Sequence, residues 1–188
     1  NAIFLMVSLI IYLSTVFFFW IIAARFYSAS DIGMISALLS AMMLLGSISN
    51  LGFNTSIMLF LPSHHEKAGK IINSCITVSS FFFFFISLIF ILGLRIWAPS
   101  LEPVLTDFKY IIYFLVVTCA SSISALISSV FVAGRRSSFQ TLKDFSFGLV
   151  KIFPLPVLAA LGGIGIFLSW GIGVFLSIIL GYVLLPVV

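Results

Sequence analysis

The sequence predicts an all-α integral membrane protein of about six transmembrane helices, and three observations predict it. Of 188 residues, 62% are hydrophobic and 7% charged, against roughly 45–50% and about 25% in soluble domains. The apolar residues gather into runs of about 20, the length of one bilayer crossing at 1.5 Å per residue. No segment alternates apolar and polar residues as a barrel strand does. Nine Lys/Arg and five Asp/Glu cannot cover a water-soluble globule, and the mean hydropathy is +1.33. A soluble enzyme, a secreted disulfide scaffold and a disordered chain are excluded.

In order, the first span covers 1–24 and closes at Arg25. Ser28, Ser30 and Asp31 follow as capping residues, because their side-chain oxygens accept from the orphan N–H groups of the next helix. The second span, 32–61, exceeds one perpendicular crossing, which predicts tilt or a local break near Asn50-Leu51-Gly52-Phe53-Asn54. Ser63-His64-His65-Glu66 fits a capping box. The third span, 71–94, ends at Arg95 and Trp97, a snorkelling cation and an interfacial indole. The fourth spans 110–133. Between Gly134 and Lys151, Phe139, Leu142, Phe145, Leu149 and Ile152 recur at spacings of three and four. That period predicts an amphipathic interfacial segment at about 138–151, feeding a fifth span over 145–161. Gly162-Gly163-Ile164-Gly165 makes a turn into a sixth span, 166–188.

Loop charge predicts the orientation. The loops after spans two and four carry Lys67, Lys70, Arg135, Arg136, Lys143 and Lys151, and the opposite side carries Arg25, Arg95 and Lys109. Six against three places the former loops in the cytoplasm of a multi-pass cell-membrane protein. Topology and anionic lipid then account for the basic balance, and no nucleic-acid partner is expected. Cys75 and Cys119 lie in apolar runs and read as free core thiols. The chain starts at Asn1 without a methionine and stops in apolar sequence, which reads as a piece of a longer protein.

Polar residues inside the spans carry the functional signal. Ser36, Ser40, Ser47, Asn50 and Asn54 share one face of span two, and Asn1, Ser8, Tyr12 and Thr15 share one face of span one. Small polar residues let helices approach, and that reading suits Ser121, Ala125 and Ser128 in span four. Two asparagines are bulkier than packing needs, so span two predicts a water-accessible groove. All five carboxylates are placed in connectors or at helix ends, which leaves no acid at mid-membrane for ion coupling. Arg25 and Lys151 are the candidate contacts for an anionic ligand. The substrate-binding set is therefore Arg25, Asn50, Asn54, Ser47, Ser40, Tyr12 and Lys151. His64-His65 reads as a solvated pair, and no metal site, cofactor or catalytic constellation is expected.

Several stretches resemble a known family. Arg25-Phe26-Tyr27-Ser28-Ala29-Ser30-Asp31-Ile32-Gly33 resembles the segment after the first span of polysaccharide-biosynthesis and O-antigen flippases. Asn50-Leu51-Gly52-Phe53-Asn54 resembles a stretch of their second span. Phe131-x-Ala133-Gly134-Arg135 with Phe139-Gln140 is similar to their connector between helices four and five, and Lys151-Ile152 with Leu161 to Gly165 to their fifth helix and turn. These flippases belong to the multidrug/oligosaccharidyl-lipid/polysaccharide (MOP) exporters. The resemblance implies one MATE-like six-helix lobe, a second lobe elsewhere in the full-length chain, and a central cation-lined cavity. It also implies a lipid-linked oligosaccharide as cargo, with Arg25, Asp31 and Gly33 on the family's first motif. Relatives that export drugs often use an acid within the first helix, and none lies between Asn1 and Ala24. The expected function is a flippase. A cation-coupled multidrug or metabolite antiporter of the same superfamily and a non-transporting subunit of a glycan-assembly complex stand as alternatives.

Overall fold

The computed structural model describes residues 2–63, 67–101 and 108–185. The proposed capping-box residues His64 to Glu66, the end-group Asn1 and the carboxylates Glu102 and Asp107 lie outside them. Among the described residues the chain is helical throughout, without a strand: α1 (Ala2–Phe26), α2 (Ala29–Ser49), α3 (Phe53–Phe60), α4 (Ala68–Leu92), α5 (Leu94–Trp97), α6 (Phe108–Ala133), α7 (Ser137–Ile152), α8 (Pro154–Val157) and α9 (Gly163–Leu184). Six segments are long and apolar enough to cross a membrane, so the protein is an all-α, multi-pass membrane protein.

The crossings alternate in direction, as side-chain pairings show. Ser8 and Thr15 of α1 and Tyr27 just after it meet Asp144, Gly148 and Leu155 in the same order, so α1 and the fifth span run parallel. Tyr113, Ser124 and Ile127 of α6 meet Phe167, Ser177 and Gly181, so α6 and α9 are also parallel. Lys143 reaches Ser177 while Lys151 reaches Trp170, which sets α7 against α9. The core between them holds Phe19, Ile35, Leu38, Phe114, Phe167 and Trp170. Outward stand Ile10, Leu13, Phe17, Phe18, Phe81, Phe82, Phe84 and Phe85, each at least 40% exposed. Large apolar side chains outside and serines within suit a lipid solvent.

The connector after α1 folds as its residues require. The Ser28 hydroxyl accepts from the Asp31 N–H at 3.1 Å and donates to the Asp31 carboxylate at 2.6 Å, starting α2. Beside it the Tyr27 hydroxyl donates to the Leu155 carbonyl at 2.7 Å. Burial and the nearby Asp31 carboxylate push that phenol up, so it stays a donor.

Span two breaks after the 21 residues of α2, before the eight of α3. Leu51 (φ 46°) and Gly52 (φ 77°) both take left-handed backbone, which glycine adopts freely and leucine only under constraint. The break falls between Asn50 and Asn54. Interrupted backbone at membrane depth is tolerated where it lines a cavity or is buried in protein.

The segment 138–151 departs from the sequence reading. It is no separate interfacial helix: α7 lies between α1 and α9 as the first half of a fifth span, Ser137–Leu161, which starts before residue 145. The amphipathic period is real but inverted. Leu142, Phe145 and Leu149 face outward, whereas Lys143, Gly148 and Lys151 are buried. Periodicity reports two faces without saying which one meets lipid. The correction reaches the charges: Lys143, Asp144 and Lys151 lie inside the bundle. The loop count behind the orientation becomes four cations against three, and an acid does lie within a span.

Candidate functional site

A cavity of about 450 Å³ opens between α1, α2–α3, α6, α7 and α9. Its walls differ in chemistry. The α2–α3 side contributes Ser47, Asn50 and Asn54, flanking the helix break. The α6 side contributes Ser121, Ser122, Ser124 and Ser128. The α7 side contributes Lys143 and Asp144, and Tyr12, Phe147 and Trp170 close one end with aromatic rings.

The amides are held from behind. Asn50 is 5% exposed, and its Oδ1 accepts from the Ser79 hydroxyl at 2.7 Å. The Asn54 Oδ1 accepts from Ser129 at 3.3 Å. Each amide thus keeps its N–H donors and one further acceptor site on its oxygen for a ligand. The α6 hydroxyls are complementary. Ser121 donates to the Val117 carbonyl at 2.8 Å and Ser128 to that of Ser124 at 3.1 Å. Back-bonding of this kind spends the hydroxyl hydrogen and leaves lone pairs. The asparagine wall can both donate and accept and the serine wall accepts, a combination that suits a hydroxyl-bearing ligand.

The charged corner is an ion pair tied to three other helices. Lys143 Nζ lies 3.5 Å from Asp144 Oδ1. It donates to Ser124 Oγ at 3.0 Å, to the Ser124 carbonyl at 3.4 Å and to Ser177 Oγ at 3.4 Å. The other carboxylate oxygen, Asp144 Oδ2, accepts from Ser8 of α1 at 2.6 Å. Ser124 and Ser177 lie nine and seven residues from their helix ends, about 10–13 Å deep at 1.5 Å per residue. A lone charge there would be costly, whereas a pair with several hydrogen bonds is sustained.

Lys151 is placed differently from the expectation. It is fully buried and does not line the cavity. Its Nζ has no hydrogen-bond partner and sits among four rings, with centroids at 4.5 Å (Phe147), 4.6 Å (Trp170), 5.3 Å (Phe19) and 5.6 Å (Tyr12). Ring quadrupoles attract the ammonium, at about 0.5–2 kcal/mol each. Phe147, Trp170 and Tyr12 therefore face the cavity on one side and Lys151 on the other.

Of the residues singled out from the sequence, the structure brings Tyr12, Ser47, Asn50 and Asn54 to one cavity. It does not bring Arg25 or Ser40 there. Arg25 is exposed, thirteen residues beyond Tyr12 on α1, about 20 Å along the axis. Ser40 is exposed on α2 and donates to the Ser36 carbonyl at 2.8 Å. Sequence reasoning missed Lys143, Asp144, Ser124 and Ser177. A signal existed for Ser177: Gly165, Ser169, Gly173, Ser177 and Gly181 recur every four residues and are all buried, a small-residue stripe that lets neighbours approach.

Fold and site together define a helical membrane protein of six crossings with a cavity between its helices, into which serines, asparagines and the Lys143–Asp144 ion pair reach among apolar side chains. Compared with protein-family models, curated proteins and solved structures, the chain matches none.

Proposed function

We propose that this chain is the six-helix lobe of a MOP-type flippase that translocates a lipid-linked oligosaccharide across the cell membrane. The observation that carries the reading is the cavity itself, lined on one side by the amides of Asn50 and Asn54 and on another by the hydroxyls of Ser121 and Ser128. A sugar head rich in hydroxyls, which both donate and accept, is complementary to amides that donate and accept and to hydroxyls that accept. The lipid tail would stay in the bilayer while the head crosses in the cavity, completed by a second lobe. Lys143 replaces Arg25 and Lys151 as the cation available to a phosphate. Lys67, Lys70, Arg135 and Arg136 support cytoplasmic loops after spans two and four, against Arg25, Arg95 and Lys109 on the other side.

The test is translocation of a fluorescent polyprenyl-pyrophosphate-linked sugar by the reconstituted full-length protein. Lys143→Gln is expected to slow it about tenfold or more, the equivalent of one charge-assisted hydrogen bond of about 1.5–3 kcal/mol. Unaltered rates in Lys143→Gln and in Asn50→Ala together would overturn the reading.

A further inference from the structure

A second cavity, of about 740 Å³, opens where α4 begins and α6 and α9 end. It shares no lining residue with the first, and its size is that of a ligand site, about 300–1,000 Å³. The floor is apolar: Leu61, Val130 and Ala133 are buried, and Ile72, Ile76 and Leu185 extend it. From the start of α4 it reaches Ile76, eight residues in, or about 12 Å at 1.5 Å per residue. That is deeper than a headgroup layer of about 5–8 Å, so the floor lies in the hydrocarbon.

The polar lining has one character. Asn73, Arg135 and Tyr182 each carry an N–H or O–H donor, and no carboxylate lines the cavity. Lys67 and Lys70 stand beside it at the cap and in the first turn of α4, where the helix dipole is positive and a cation is unfavourable. Among the described residues the acids are Asp31, at the opposite end of span two, and Asp144, paired in the first cavity. Arg135 is set in place by the chain's own turn. The Arg136 N–H donates to the Phe131 carbonyl at 2.9 Å and the Arg135 N–H to that of Val132 at 3.1 Å, a closure that holds residue 135 in left-handed backbone, φ 55°. Glycine is usual there because a Cβ is strained, and Gly134 stands one position too early. The turn has no need of an arginine. What the arginine adds is an exposed guanidinium at the rim of the cavity.

We propose that this cavity binds one anionic phospholipid of the adjoining leaflet, with its phosphate on Arg135 and an acyl chain over Leu61, Ile76 and Val130. A guanidinium pairs with phosphate oxygens in bidentate fashion, and Asn73 and Tyr182 donate to those that remain. Lys67 and Lys70 add an attraction that favours a headgroup of net negative charge over a zwitterionic one. A free phosphate would satisfy the rim and leave the floor empty, whereas an amphiphile fills both. The inference is independent of the transport reading, since it needs only the bilayer and this end of the bundle.

The test is mass spectrometry of the intact purified protein with defined lipids in detergent. Wild type is expected to retain one phosphatidylglycerol in preference to phosphatidylcholine of the same chains, by at least about fivefold, the worth of one basic residue at an anionic surface. Arg135→Gly should lose most of that preference while unfolding at the same temperature as wild type or higher, because glycine relieves the left-handed backbone. Arg136→Gln removes a neighbouring exposed charge that does not line the cavity and should keep the lipid. Equal retention of the two lipids by wild type overturns the proposal, and so does retention by Arg135→Gly equal to wild type. Equal losses in Arg135→Gly and Arg136→Gln would mean diffuse surface attraction and no site. Displacement of the lipid by glycerol phosphate, the headgroup without chains, would mean a site for free phosphate and overturn the lipid. Phosphatidylglycerol with a photoreactive acyl chain should label wild type within 68–76, 130–135 or 182–185. Labelling confined to other segments overturns the proposal without recourse to any variant.

Discussion

Gly148 on α7 faces Thr15 on α1 so closely that a methyl group added at residue 148 would lie 2.5 Å from Thr15 Cγ2 and 2.6 Å from its Oγ1. The contact sits between the Ser8–Asp144 hydrogen bond and the ring cage of Lys151, so it sets how α1 seats against the charged corner. Gly148→Ala is expected to destabilise the protein by about 1–3 kcal/mol, the usual cost of overpacking, measured by thermal unfolding in detergent. Adding Thr15→Ala removes two of the three crowding atoms and should recover part of the loss. A Gly148→Ala variant as stable as wild type would count against this packing.

The hydrogen bond from Ser79 to Asn50 joins α4 to the break in span two. Ser79→Ala leaves a buried amide oxygen unpaired and should cost about 0.6–2 kcal/mol, the range of interhelical hydrogen bonds in membrane proteins. Denaturant unfolding checks it. Ser36→Ala is the control, since that hydroxyl serves only its own helix.

Cavity access has a predicted order. With Cys75 and Cys119 replaced by alanine, single cysteines should react with a membrane-impermeant thiol reagent fastest at Ser47, which is exposed. Asn54, half-buried, should follow, and Asn50, buried, should be slowest. All three being inert would mean that the cavity is closed to water, as a purely structural subunit requires.

The two buried lysines should behave oppositely. Lys151 has rings but no hydrogen bonds, and an apolar side chain of similar length fills the same space. Lys151→Met is therefore expected to be neutral or stabilising, as apolar replacement of buried charge often is. It should leave translocation near wild type, whereas Lys143→Gln abolishes most of it. Lys151→Glu should fail to fold stably, because ring faces repel a carboxylate. Loss of transport in Lys151→Met would mean that the ammonium leaves its cage during the cycle.

Arg25 supplies the converse control. It stands about 20 Å from Tyr12 along α1, exposed, so Arg25→Ala should leave cargo binding unchanged. A loss as large as that of Lys143→Gln would place a second anion contact at the far end of α1.

Composition and run length alone determined the class of this protein, because a bilayer admits only segments that are long, apolar and internally hydrogen-bonded. The break in span two was legible as well, since a thirty-residue run containing Asn50 and Gly52 has to yield somewhere. Helical period put Asn50 and Asn54 on one face, but the break at Leu51 and Gly52 interrupts that period, and it is the fold that sets both against the cavity. What only the tertiary structure decided was the direction in which α7 points its two faces. Leu142, Phe145 and Leu149 repeat just as they would on an interfacial helix, and a period has no sign. The sign came from partners far along the chain: Ser8, Ser124 and Ser177 supply the oxygens that let Lys143 and Asp144 lie inside, and Gly173 and four rings make room for Lys151. A charge is buried where other segments can solvate it, and that provision is invisible in the segment that carries the charge.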